Sequence, residues 1–213
     1  ELLAGWRKDG VLVRDDEPAF YRYDQTFTPP GGGAPITRTG FLGLVKVVPF
    51  SDKVVLPHER TLSGPKEDRL KLFRATKTNL SPGFMLYRDP SRTLDAALAK
   101  ATELTSFGTA DGVTHKVSRI TDKDAVAAIV KGVSASSLLI ADGHHRYETA
   151  LRYSQEIGDV GGPRAEHRYF MVFFANGDDP NLVVFPTHRH VHALPRFDWD
   201  ALHEGAKALF DVK

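Results

Sequence analysis

The stretch that most constrains this chain is Leu138-Leu139-Ile140-Ala141-Asp142-Gly143-His144-His145-Arg146-Tyr147-Glu148-Thr149-Ala150-Leu151. It opens as a short apolar run, the pattern of a buried strand. Asp142 and Gly143 break the run, and glycine permits a tight turn. From His145 onward Ala150, Leu151 and Tyr153 are spaced for one face of a helix. The spacing therefore predicts a strand–turn–helix junction that carries Asp142, His144, His145 and Arg146 together. The first turn of a helix presents unpaired N–H groups and the positive end of its dipole. Such a junction suits an anion, above all a phosphate, and an arginine adds a charge-assisted fork.

The rest of the chain reads as strands and helices without strict alternation. A helix end at Leu2, Leu3 and Trp6 closes at Gly10, and strands follow over 20–27 and 37–48. The Pro29-Pro30-Gly31-Gly32-Gly33 loop between them lacks the Gly-Lys-Ser/Thr of a phosphate loop and is expected to be a hairpin tip. A helix opening at Pro65 carries Lys66, Arg69, Lys71 and Arg74, read as a solvated face. A strand is expected over 84–87, a helix over 94–104 and a strand over 113–120. A helix capped by Asp122 follows. Strands over 169–175 and 182–185 are expected to pair as a hairpin, and a last helix is capped by Asp198.

This mixture predicts an α+β fold, a mixed sheet with surrounding helices. The 213 residues read as a single α+β domain, with a candidate sub-boundary near 90–110. The chain begins with Glu inside what reads as a helix end, so it is expected to be a fragment of a longer protein.

Composition excludes several functions. Cysteine is absent, which removes disulfides, thiolate metal sites and cysteine nucleophiles. The net charge of +1 gives no basic field for DNA or an anionic membrane. No stretch approaches the roughly 18 apolar residues of a membrane span, and no signal peptide is evident, so a cytoplasmic location is expected.

The residues at the junction suit phosphoryl transfer, which needs positioning and charge neutralisation more than a covalent intermediate. Arg146 and the helix start could hold phosphates, Asp142 could hold Mg²⁺, and His144 or His145 could donate to a phosphate oxygen. A second charged stretch, Val54-Val55-Leu56-Pro57-His58-Glu59-Arg60-Thr61, supplies His58, Glu59 and Arg60. Glu59 needs only hydrogen-bond reach of an acceptor hydroxyl to serve as a base.

The segments VVLPHERTLSGPKEDRLKLFRATKTNLSP, LLIADGHHRYETAL and VVFPTHR resemble the domain-of-unknown-function family 1015 along nearly the whole chain. The PHE and DGHHR motifs also resemble the free serine kinases built on the ParB/sulfiredoxin-like fold. That resemblance implies a ParB/sulfiredoxin-like core with insertions. It implies Glu59 of the PHE segment as general base, with His58 beside it. It places Asp142, Gly143, His144, His145 and Arg146 on the phosphate or metal side, with Mg²⁺ and ATP or ADP as cofactors. The partners implied are a nucleotide and a small hydroxyl acceptor. The match at Thr187-His188-Arg189 adds Arg189, like Arg60, to the candidate phosphate ligands. The sulfiredoxin branch of that fold needs a catalytic cysteine, and this chain has none.

Two rival readings follow from the same residues. His188, His190 and His192 alternate and would share one side of a strand. With His144 and His145 they could serve a metal-dependent hydrolase. The other rival is a non-catalytic nucleotide-binding or regulatory module. It predicts nucleotide binding without a phosphorylated product.

Overall fold

The computed structural model describes residues 2–61, 63–185 and 190–211. They form two compact units, Glu1–Leu182 and Val183–Lys213. In chain order the first unit contains α1 (Leu2–Lys8), β1 (Phe20–Phe27), β2 (Ile36–Lys46), β3 (Val55–Leu56) and α2 (Ser63–Thr76). It continues with β4 (Gly83–Tyr87), α3 (Asp95–Leu98), β5 (Thr102–Gly108), β6 (Thr114–Ile120) and α4 (Lys123–Ser134). It closes with β7 (Leu138–Asp142), α5 (His144–Ile157) and β8 (Tyr169–Asn176). The second unit carries α6 (Trp199–Lys207), capped as expected by Asp198, whose Oδ1 accepts from the Ala201 N–H at 3.0 Å. The fold is α+β, with a mixed eight-stranded sheet in the order β3-β7-β4-β8-β2-β1-β6-β5. No helix among the described residues is long and apolar enough to cross a membrane.

Local chemistry explains most of these elements. The aromatic, β-prone run of β1 pairs antiparallel with β2 from Tyr21↔Leu42 to Phe27↔Ile36, so the glycine-rich loop is a hairpin tip. Asp122 caps α4 by accepting from the Ala125 N–H at 2.9 Å, and Ala125 and Ile129 face the core. The core gathers Phe41, Met85, Ile120, Ile129, Ile140, Tyr147, Phe170 and Val172, each at most 1 % exposed. Tyr147 fixes the start of α5 within it. Its hydroxyl donates to the Val48 carbonyl at 2.9 Å and accepts from the Val48 N–H at 3.0 Å.

Two elements differ from the sequence expectation. The helix expected over 94–104 is only the single turn of α3, and Thr102–Gly108 is strand β5. Leu94, Ala97, Leu98, Ala101 and Leu104 do sit at helical spacing. Tertiary pairing with β6 nonetheless draws the threonine-rich half into the sheet. The strand expected over 182–185 does not form, and its hairpin with β8 is absent. Both edges of β8 are already taken, by β2 on one side and β4 on the other.

Candidate functional site

The site arises from two segments far apart in sequence that leave the sheet side by side. β3 pairs parallel with β7 through Val55↔Leu138 and Leu56↔Leu139. Parallel strands bring their carboxyl ends together, so Pro57-His58-Glu59 emerges beside Asp142-Gly143. Gly143 turns the chain from β7 into α5 with φ of +95°, which glycine adopts without steric cost. A Cβ at this position would also lie 3.2 Å from the Arg146 guanidinium. The helix begins at His144, one residue before the expected start, and the Tyr147 N–H closes its first turn on the Gly143 carbonyl at 2.9 Å.

His144 is the buried centre of the site, 1 % exposed on the inward face of α5 with Tyr147 and Ala150. Its Nε2 accepts from the His58 N–H at 3.2 Å, which places the proton of the neutral ring on Nδ1. Nδ1 lies 3.1 Å from Glu59 Oε1, off the line of a good hydrogen bond, and has no other partner among the described residues. Burial pushes the imidazole below its ordinary pKa. Glu59 pulls the other way, and His58 adds to the depression. His58 is oriented in turn: its Nδ1–H donates to the Ile140 carbonyl at 2.7 Å, leaving Nε2 as an acceptor. The two rings meet edge to face, 4.5 Å between centroids. His58, Glu59 and His144 each offer a ligand atom within 4.8 Å of the other two.

The loop that carries Glu59 is held on both sides. His58 is fixed on His144 and Ile140, and Thr61 donates to Glu148 Oε2 at 2.6 Å. Glu148 also accepts from Lys66 at 2.8 Å. Burial would raise the Glu148 pKa, but the bonds from Lys66 and Thr61 hold it below the usual carboxylate range. Glu148 therefore couples α5 to α2, and Lys66 serves that contact. Arg60 lies between the fixed points and is exposed.

Asp142 and Arg146, expected to act separately on metal and phosphate, form an ion pair across one helical turn. The Arg146 guanidinium also donates to Ser81 Oγ at 3.2 Å and to the Pro82 carbonyl. β4 runs antiparallel to β7, with Phe84 opposite Asp142, and this brings Ser81-Pro82 within reach. Arg146 thus ties two strand ends together, a role that sequence spacing did not reveal. The Asp142 side chain is 72 % exposed, so its carboxylate remains open to solvent. That suits Mg²⁺, which takes one or two carboxylates and keeps several waters. His145 is half-buried at the helix start, beside these groups.

Other candidates fall elsewhere. Arg189, with Thr187 and His188, lies outside the described residues. His190 and His192 belong to the second unit, their rings 5.4 Å apart. A cleft of about 870 Å³ lined by Phe73, Lys77, Tyr153, Arg164 and Tyr169 lies in the first unit and includes none of the site residues. The sequence did not distinguish His144 from His145. Extending the apolar spacing of Ala150 and Tyr153 back through Tyr147, nearly two turns, would have placed His144 on the buried face.

An α+β chain with a mixed eight-stranded sheet and a histidine–glutamate cluster at its parallel edge is the class defined so far. Residues 1–213 match the family described as a protein of unknown function, DUF1015, and the chain belongs to that family. No curated protein matches it, and no solved structure does.

Proposed function

We propose that this chain is a nucleotide-binding phosphotransferase with a ParB/sulfiredoxin-like core, which moves the terminal phosphoryl group of ATP or ADP to a small hydroxyl compound. One observation carries the reading. The Glu59 carboxylate, brought from a distant segment, meets the buried His144 at the first turn of α5, 3.1 Å from its Nδ1. A base and an anion-favouring helix start therefore share one edge of the sheet.

The geometry supports the following roles. Glu59 takes the proton of the acceptor hydroxyl as its oxygen attacks the terminal phosphorus. The bond from that phosphorus to the bridging oxygen breaks, and the shortened nucleotide leaves with the electron pair. The His144 Nδ1 faces the carboxylate at 3.1 Å, and the His58 N–H fixes the His144 ring. Gly143, His144, His145 and Arg60 surround the phosphates, and Arg146 joins them by exchanging Asp142 for a phosphate oxygen. Asp142 would hold Mg²⁺, which would neutralise phosphate charge.

The test is transfer of label from ATP or ADP to serine and a panel of small hydroxyl compounds, with Mg²⁺ present. Glu59→Gln is expected to slow transfer by about 10²–10⁴-fold while leaving nucleotide affinity unchanged. Undiminished transfer in that variant would contradict the assignment of the base. Nucleotide binding with no labelled product from any acceptor would instead make the chain a regulatory binding module.

A further inference from the structure

The cluster beside the first turn of α5 supports a second chemistry. We propose that His58, Glu59 and His144 bind one transition-metal ion of the Zn²⁺ class, and that occupancy withdraws Glu59 from its role as base. The second clause rests on the phosphotransfer reading, whereas the metal site stands independently of it.

Three observations carry the site. The donor set is two imidazoles and one carboxylate, each with a ligand atom within 4.8 Å of the others. Three protein ligands of this kind leave an open fourth position and suit Zn²⁺, Co²⁺ or Ni²⁺, whereas Mg²⁺ prefers oxygen alone. His58 is also prepared as a ligand. Its Nδ1–H is held by the Ile140 carbonyl at 2.7 Å, the outer contact that metal-bound histidines use, and Nε2 keeps a free lone pair. Finally, His144 Nδ1 is buried without an aligned hydrogen-bond partner among the described residues, yet stands 3.1 Å from Glu59 Oε1. Two ligands of one tetrahedral ion, each about 2.0–2.1 Å from it, lie ~3.3 Å apart. The contact is misaligned for a hydrogen bond, yet its spacing suits a shared ion.

Binding has a defined local consequence. An ion on Nδ1 moves the His144 ring proton to Nε2, where it confronts the His58 N–H. The 3.2 Å contact between them must open. The ring is packed in α5 while His58 is exposed, so the loop turns and the ring stays.

The experiment uses the full chain with His188, His190 and His192 replaced by Gln, so that these histidines do not compete for metal. Co²⁺ is titrated by its visible absorption and Zn²⁺ by calorimetry, before and after adding His58→Gln or Glu59→Gln. Both residues are exposed, and thermal unfolding checks that each variant folds. One ion per chain is expected, with tetrahedral Co²⁺ absorption, and each variant should lower affinity by at least about tenfold. No binding, or affinity undiminished in either variant, would overturn the site. Phosphoryl transfer on the same samples tests the second clause: one equivalent of Zn²⁺ should stop it. Transfer that persists with the ion bound would overturn the masking. Absence of transfer from the metal-free chain would remove the phosphotransfer reading and the masking with it, leaving the metal titration to decide the site.

Discussion

The two ends of the sheet are built differently, and their histidines show it. At one end β6 and β5 form a local antiparallel hairpin on β1, and every residue of β5 is exposed. Its histidine, His115, is satisfied by neighbours. Nδ1 meets the Tyr23 hydroxyl at 2.6 Å, Nε2 meets Thr109 Oγ1 at 3.2 Å, and the ring stacks on Phe107 and Tyr23. At the other end β7 takes β3 in parallel and β4 antiparallel, joining segments far apart in sequence. Its histidine, His144, is buried, yet turns Nδ1 toward a carboxylate on an exposed loop. Structural histidines close their contacts inward, whereas His144 holds one nitrogen toward the place where a ligand can arrive.

The largest expected effect on stability lies at the site end. Ile140 is fully buried in the middle of β7, so Ile140→Ala should cost about 2–5 kcal/mol, read from denaturant unfolding. A smaller effect lies at the far end of β4. Asp89 is 8 % exposed and accepts from the Thr93 N–H and hydroxyl at 2.9 and 3.0 Å and from the Leu94 N–H at 3.0 Å. Its burial opposes ionisation, but these bonds hold its pKa below the usual carboxylate range. Asp89→Ala should therefore cost about 2 kcal/mol at neutral pH. Because the folded pKa is depressed, the contribution is complete above the ordinary carboxylate pKa and is lost as pH falls through the folded value. Stability curves of the two proteins should converge in acid, and a gap unchanged by pH would contradict the assignment.

The smallest effect belongs to the hairpin end. Leu104 is half-exposed on β5, so Leu104→Ala should change stability by no more than about 0.5 kcal/mol. A cost equal to that of Ile140→Ala would erase the contrast between the two ends.

Much of the fold was legible where local chemistry decides it. The aromatic run of β1, the apolar run of β8, the caps Asp122 and Asp198, and the Asp142–Gly143 turn all signalled their elements. β3 was not legible, because its two residues become a strand only by pairing with β7. β5 was hidden because its exposed residues follow a leucine spacing that mimics a helix. The site was half legible. Its residue types were evident in both motifs, but the approach of Glu59 to His144 depends on that parallel pairing. The anchoring of Arg146 was hidden for a related reason: Ser81 and Pro82 reach it only through the β4–β7 register.

The most direct test of the phosphotransfer account is calorimetric titration of the full chain with ATP, ADP and CTP in the presence of Mg²⁺, repeated on Asp142→Asn and Leu104→Ala. The account predicts that ATP or ADP binds, that Asp142→Asn weakens binding at least about tenfold, and that Leu104→Ala leaves it unchanged. A folded chain that binds none of the three nucleotides, or binds them equally well with Asn at position 142, would contradict it.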